Sequence, residues 1–167
     1  MDLITTTTRI LSNPCFNKRE YQKLISAKNL KIIHTDDVDL AGLEFPKDLD
    51  FLHFVYYTNL FPRESFILPE SKSLILTTNY PLDLIVFPDV QMDSLVVTDK
   101  VNRTEGDIIF PSKVLSMEFK SDFLQDVSKT LFPEKINVLK FDGYFGGDVS
   151  HPHFPKWCKF STKFMRS

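Results

Sequence analysis

The chain has 167 residues, 43% of them hydrophobic and 25% charged, a balance typical of a single globular domain. This much apolar surface excludes an intrinsically disordered chain. The net charge of −2 provides no general attraction to nucleic acid or to anionic lipid, so we expect neither nucleic acid nor a membrane as a partner.

The first predicted element is a helix over residues 16–28, with the sequence "FNKREYQKLISAK". Asn17 is a favourable N-cap, and Glu20 stands three residues later, as in a capping box. We expect this helix to cover the first unit of the domain that follows. Residues 1–15 are expected to be a strand or a loose arm and do not resemble a signal peptide. Residues 1–29 are therefore predicted to form an N-terminal arm and capping helix.

From residue 30 onward, a short apolar pattern returns about every 22 residues. It is a triplet in which two apolar residues flank a variable one, and its first residues are 22, 22, 21, 22 and 22 positions apart. The triplets begin at Leu30, Leu52, Leu74, Leu95, Met117 and Leu139. Alternation with a period of two is typical of a strand with one buried face. The spacing predicts short parallel strands near 30–33, 52–55, 74–77, 95–98, 117–120 and 139–142.

A Phe-Pro or Leu-Pro pair accompanies this pattern in each coil. The pairs begin at Phe45, Leu68, Phe87, Phe110, Phe132 and Phe154. Because proline fixes φ and donates no backbone hydrogen bond, it belongs at a bend outside the sheet. The residue before it is held extended, which lets its large side chain point inward. One coil is thus a strand, a turn, an extended return and a bend, and stacked coils share one core.

The pattern "(F/L)P-x-x-φ-x-x-L-x-φ" with this period resembles leucine-rich repeats. It looks most like the FNIP-type repeats, the Leu-Pro repeats of some bacterial effectors and the degenerate repeats of fungal F-box proteins. The resemblance covers about residues 30–163, although the asparagine usual after the strand is mostly absent. It implies a mainly β fold, a leucine-rich-repeat-like parallel β solenoid of about 22-residue coils with an N-terminal capping helix. Residues 30–167 would be the solenoid, with about five full coils and a partial sixth.

The outer face of the predicted sheet is the candidate binding site. The middle residue of each triplet and the residue two places later share this face. Its centre is apolar, with Val55, Ile75 and Val96, and charged residues flank that centre on both sides. An exposed apolar centre with a polar rim is typical of a protein-binding surface. The predicted partner-binding residues are His53, Val55, Ile75, Thr77, Val96, Thr98, Glu118, Lys120 and Lys140.

Two stretches contain residue types that could serve an enzyme. His34 and Asp36 lie in "HTDD", and His151 and His153 lie in "HPHFPKWC". Both offer metal ligands or acid–base groups. No second cluster completes the first site, and a solvated turn is its simpler interpretation. The second lacks a fourth zinc ligand, and a repeat connection with exposed histidines is its simpler interpretation. We therefore expect a protein-interaction module that is not an enzyme and has no metal or cofactor. A small metal-dependent hydrolase that uses one of these pairs is the alternative.

Two further expectations concern the cell compartment and the end of the array. Cys15 and Cys158 lie far apart in sequence, and two reduced thiols in an intracellular protein, cytoplasmic or nuclear, are a simpler interpretation than one disulfide. Residues 150–167 include Trp157, Phe160 and Phe164 but show no counterpart to the N-terminal helix. We expect the chain to self-associate through this edge. The alternative is that it is a truncated fragment of a longer array without independent function.

Overall fold

A computed structural model of the chain describes residues 6–10, 26–35, 45–57, 65–148, 150–152, 154–155 and 159–162. Twelve strands lie in this part of the chain. They are β1 (Thr6–Ile10), β2 (Asn29–Thr35), β3 (Leu49–Tyr57), β4 (Phe66–Ile67), β5 (Ser71–Thr78), β6 (Ile85–Val86), β7 (Met92–Val97), β8 (Ile108–Ile109), β9 (Val114–Phe119), β10 (Thr130–Leu131), β11 (Val138–Phe141) and β12 (Lys159–Thr162). Two 3₁₀ turns, Leu82–Leu84 and Val127–Lys129, are the helical segments of the described residues, and neither is long enough to cross a membrane.

The main sheet has eight parallel strands in the order β1-β2-β3-β5-β7-β9-β11-β12. Its register aligns the first residue of every predicted triplet with the first residue of the next one. The aligned row is Leu30, Leu52, Leu74, Leu95, Met117, Leu139 and Phe160. The prediction of a parallel β solenoid with coils of about 22 residues is therefore confirmed.

The strand bounds differ from the prediction at their amino-terminal ends. β3, β7 and β9 each begin three residues before the triplet, at a residue that is itself buried in the core, namely Leu49, Met92 and Val114. Residues 6–10, predicted as a strand or a loose arm, form β1, which pairs with β2. Most of the predicted capping helix, residues 16–25, lies outside the described residues, and residues 26–28 form a turn that leads into β2.

The core lies between the main sheet and the return segments that carry the prolines. Four of the phenylalanines before these prolines are buried and contact one another from coil to coil, whereas Phe45 is only partly buried. Ring centroids are 5.6 Å apart for Phe87 and Phe110, 5.8 Å for Phe110 and Phe132, and 5.7 Å for Phe132 and Phe154. The predicted inward orientation of these side chains is confirmed, and each such contact adds about 0.5–1.5 kcal/mol to the gain from burial.

A second buried row follows the strands and was missed in the sequence analysis. Val101, Phe123 and Phe145 form isolated parallel bridges with one another, and all three are buried. The ring of Phe123 lies 4.9 Å from that of Phe119 and 5.7 Å from that of Phe145. This row extends the core into the turns, so the coils are fixed to one another beyond the ends of the strands.

The return segments carry a second set of short parallel strands. β4 pairs with β6, and β8 pairs with β10. The first residue is buried in three of these four strands, with Ile85, Ile108 and Thr130 inside, whereas the second residue of every strand faces outward. The stack therefore presents two separate outer surfaces, one on the main sheet and one on the returns.

Candidate functional site

The nine predicted binding residues lie on the outer face of the main sheet. One row crosses the strands in register from His53 through Ile75, Val96 and Glu118 to Lys140. The flanking residues Leu95 and Val97 are buried whereas Val96 is partly exposed, as strand alternation requires. The second row contains the remaining four residues, Val55, Thr77, Thr98 and Lys120.

The centre of this face is apolar and is crossed by a chain of uncharged hydrogen bonds. His53 Nε2 lies 3.1 Å from Thr77 Oγ1, and the Thr98 hydroxyl lies 2.8 Å from the same oxygen. Burial, together with the nearby charge of Lys31, holds the pKa of His53 below its ordinary value. The imidazole is therefore neutral at pH 7, and the centre carries no formal charge.

The charged end of the face is a closed cluster of two acids and two lysines. Lys120 Nζ lies 2.6 Å from a Glu118 carboxylate oxygen and 3.3 Å from one of Asp142, while Lys140 Nζ lies 2.8 Å from Asp142 and also contacts Glu118. Burial raises the pKa of Glu118, but the hydrogen bonds from the two lysines outweigh it, so this pKa lies below its ordinary value. The four charges neutralise one another and form a polar rim.

Several residues of this face were missed because the strands start earlier than predicted. In β3, two residues lie between the buried Leu49 and the triplet residue Leu52, and two residues occupy the same positions in β5, β7 and β9. The residue just before the triplet joins the outer face in a third row of Phe51, Ser73, Ser94, Ser116 and Val138. Tyr57 is also exposed, and its hydroxyl donates to Asp99 at 3.0 Å. The buried residue three places before each triplet was the feature that could have predicted this extension.

The two candidate metal pairs are not assembled into a site by the described residues. His34 lies in β2, paired with Tyr56 of β3, whereas Asp36 and His153 lie outside the described residues. The backbone N–H of His151 donates to the Asp148 carbonyl at 3.2 Å, as in a turn. Within the part of the chain that the structure describes, no group of three or more His, Cys, Asp or Glu side chains could hold a metal ion.

A shallow depression of about 380 Å³ lies across three successive turns, lined by residues that include Arg103, Gln125, Lys129 and Asp148. The buried Gln125 side chain accepts from the Thr104 and Asp126 amides and donates to Thr104 Oγ1 and the Gly106 carbonyl. Its hydrogen-bonding capacity is used within the chain. Gln125 therefore joins neighbouring turns and leaves no polar group that requires a ligand.

The register and the periodic core define a parallel β-solenoid repeat protein. Comparison with protein families, with curated proteins and with solved structures finds no match to this chain.

Proposed function

We propose that the chain is a non-enzymatic protein-interaction module of the leucine-rich-repeat kind, similar to FNIP-type repeats, which binds a protein partner on the outer face of its main sheet. The observation that supports this most is the uncharged centre of Val55, Ile75 and Val96 beside a rim of paired charges. Such a surface gains free energy when its apolar area is covered, while the rim stays hydrated.

The shape of the face favours a protein over a small molecule. Six strands, β2 to β11 in the sheet order, span about 24 Å at the usual spacing of about 4.8 Å, and the three outward rows span about 13 Å along the strands. Small-molecule sites are concave and enclose their ligand, whereas an open sheet face of this extent suits an interface.

The charge of the face indicates the chemistry of the partner. The six strands β2, β3, β5, β7, β9 and β11 contain three lysines and three acidic residues, a net charge of zero. Hydroxyl groups of Ser73, Ser94, Thr77 and Thr98 add uncharged hydrogen-bonding groups. The partner is therefore expected to present apolar side chains and uncharged polar groups. We also propose an intracellular location, on the basis of two cysteines that are simplest to interpret as reduced thiols.

Affinity capture followed by reconstitution with purified candidate partners tests this function. The variant Ile75→Asp/Val96→Asp should bind a true partner at least about tenfold more weakly, because each buried aliphatic contact contributes on the order of 1.5 kcal/mol or more. Ile67→Asp/Ile109→Asp is the matched control, since it adds the same two negative charges at exposed positions of the return side. A purified partner that binds the double variant as tightly as the unmodified protein would contradict the proposal.

A further inference from the structure

The return side of the solenoid carries a row of exposed aliphatic residues, which we name the return ridge: Ile67, Val86, Ile109 and Leu131. Their exposed fractions are 70%, 45%, 60% and 46%. Each is the second residue of its short strand, in register as Ile67 with Val86 and Ile109 with Leu131. Each also stands directly before the buried Leu or Phe of a bend. The ridge therefore recurs once per coil over four successive coils.

The segments that carry the ridge are acidic. Residues 65–70, 82–90, 104–113 and 126–135 contain seven carboxylates and three lysines, a net charge of −4, whereas the chain as a whole has −2. The carboxylates are Glu70, Asp83, Asp89, Glu105, Asp107, Asp126 and Glu134, and all of them are exposed except Asp83, whose Oδ1 is buried. Two of the lysines have partners within the chain, since Lys113 lies 3.7 Å from Asp89 and Lys129 donates to the Glu105 carbonyl at 2.9 Å. An apolar row surrounded by negative charge favours a partner whose surface is apolar and positively charged.

The spacing of the ridge matches a helix better than a strand. Neighbouring strands are about 4.8 Å apart, so four coils place the ridge residues along about 14 Å. A helix advances about 5.4 Å per turn, and side chains at positions i, i+4, i+7 and i+11 span about 16 Å on one face. An extended chain advances about 6.7 Å between side chains on the same face and would soon be out of step.

We propose that the return ridge is a docking surface for a basic amphipathic helix of a partner protein, lying along the stacking axis with one turn over each coil. Its apolar side chains would cover Ile67, Val86, Ile109 and Leu131. Its lysines and arginines would face the surrounding carboxylates. The solenoid core separates this surface from the outer face of the main sheet, so the two sites are independent.

A synthetic peptide tests the proposal directly. It has leucine at positions 3, 7, 10 and 14 of a 16-residue helix, with lysine and alanine elsewhere, and its binding is followed by fluorescence anisotropy. The expected result is saturable binding to the full chain that weakens as salt is raised. A peptide of the same composition with its leucines spread around the helix, and a peptide with glutamate in place of lysine, should bind at least about tenfold more weakly.

Ile109→Asp separates docking from simple charge attraction. It adds a negative charge, which alone would tighten the binding of a lysine-rich peptide, yet removal of the apolar contact should weaken binding about tenfold or more. Val96→Asp adds the same charge on the main sheet and should leave peptide binding unchanged. Circular dichroism checks that both variants are folded, and Ile67→Asp replaces Ile109→Asp if the latter is not.

Three results would overturn the proposal. They are equal binding of the peptide with redistributed leucines, unchanged affinity in both ridge variants, and a dimer of the chain that dissociates in Ile109→Asp, which would assign the ridge to a second copy. None of them bears on the main-sheet proposal, because that is tested with Ile75→Asp/Val96→Asp.

Discussion

At the scale of single residues, alternation along a strand separates stability from binding. Leu95 is buried in the core, whereas its neighbour Val96 lies on the outer face. This facing could be predicted from the sequence because two apolar residues around a variable one fix which side enters the core. Adjacent positions in one strand therefore provide a matched pair of variants.

Leu95→Asp should remove a large part of the folding free energy. It places a carboxylate in an apolar core, a change that costs several kcal/mol out of a total of about 5–15 kcal/mol. Val96→Asp should change stability by less than about 0.5 kcal/mol but weaken capture of a main-sheet partner. Urea denaturation of both variants measures the difference. Equal destabilisation of the two variants would show that Leu95 and Val96 have been assigned to the wrong faces of β7.

Gly143 provides a second test, at a close approach between coils. A Cβ there would lie 2.4 Å from the Ser121 carbonyl carbon and 2.6 Å from the Asp122 nitrogen, both backbone atoms that cannot rotate away. We expect Gly143→Ala to destabilise the protein by about 1–3 kcal/mol. Gly146→Ala is the control, because the nearest atom to its Cβ is a side-chain carbon at 3.4 Å. Thermal melts that fall equally for both would contradict the argument.

His53 should make stability depend on pH near neutrality. Because its pKa is lowered in the folded state, the unfolded chain takes up a proton first as pH falls through about 6.5, and the folded state loses stability. The stability that His53 contributes is fully present above about pH 6.5 and decreases as the pH falls below that value. His53→Gln should show a smaller loss of stability between pH 8 and pH 5.5 than the unmodified protein in urea titrations. The same loss in both proteins would assign the effect to other groups.

At the scale of elements, the sequence predicts the strands and their register better than the elements between them. The row from Leu30 to Leu139 was predictable because the burial of one apolar face fixes both facing and register. The buried row of Val101, Phe123 and Phe145 has the same period. It follows a turn, however, and beyond a turn the strand alternation no longer predicts which side chains point into the core. The return ridge was missed for a related reason, since two-residue strands are too short to show a period.

The ion pairs of the charged cluster can be predicted only when the strand register is known in addition to the sequence pattern. Glu118 and Lys140 are 22 residues apart in sequence and are adjacent only because β9 and β11 pair in register. Both residues are predicted from the sequence to lie on the outer face and to contact a partner. The structure pairs them with each other and with Lys120 and Asp142, so their charges already have partners within the chain.

At the scale of the whole molecule, the described residues form one continuous stack with two sheet edges. β1 and β12 are the outermost strands of the main sheet, and β12 pairs on one side with β11. Residues 156–158 and 163–167 lie outside the described residues, so the predicted self-association through residues 150–167 stays a prediction. It rests on the edge strand β12 and on the aromatic residues of that segment.

Light scattering at increasing protein concentration tests this self-association. We expect a rise in average mass that Phe160→Lys and Phe164→Lys reduce, because a lysine at an edge opposes strand pairing and adds repulsion. Ile67→Lys, which adds the same charge on the return side, should leave the rise unchanged. A protein that stays monomeric at high concentration, with hydrogen exchange as slow in β12 as in β7, would contradict the prediction.

The constant register has a consequence for how such a chain can change in length. Because the first triplet residues of successive coils align, duplication of residues 95–116 would insert one whole coil and leave every other coil with equivalent neighbours. The insertion would add one strand to the main-sheet face and one residue to the return ridge, and each surface would become longer by about 4.8 Å. The lengths of the two surfaces are therefore coupled, and a duplication within this gene would lengthen both surfaces at once.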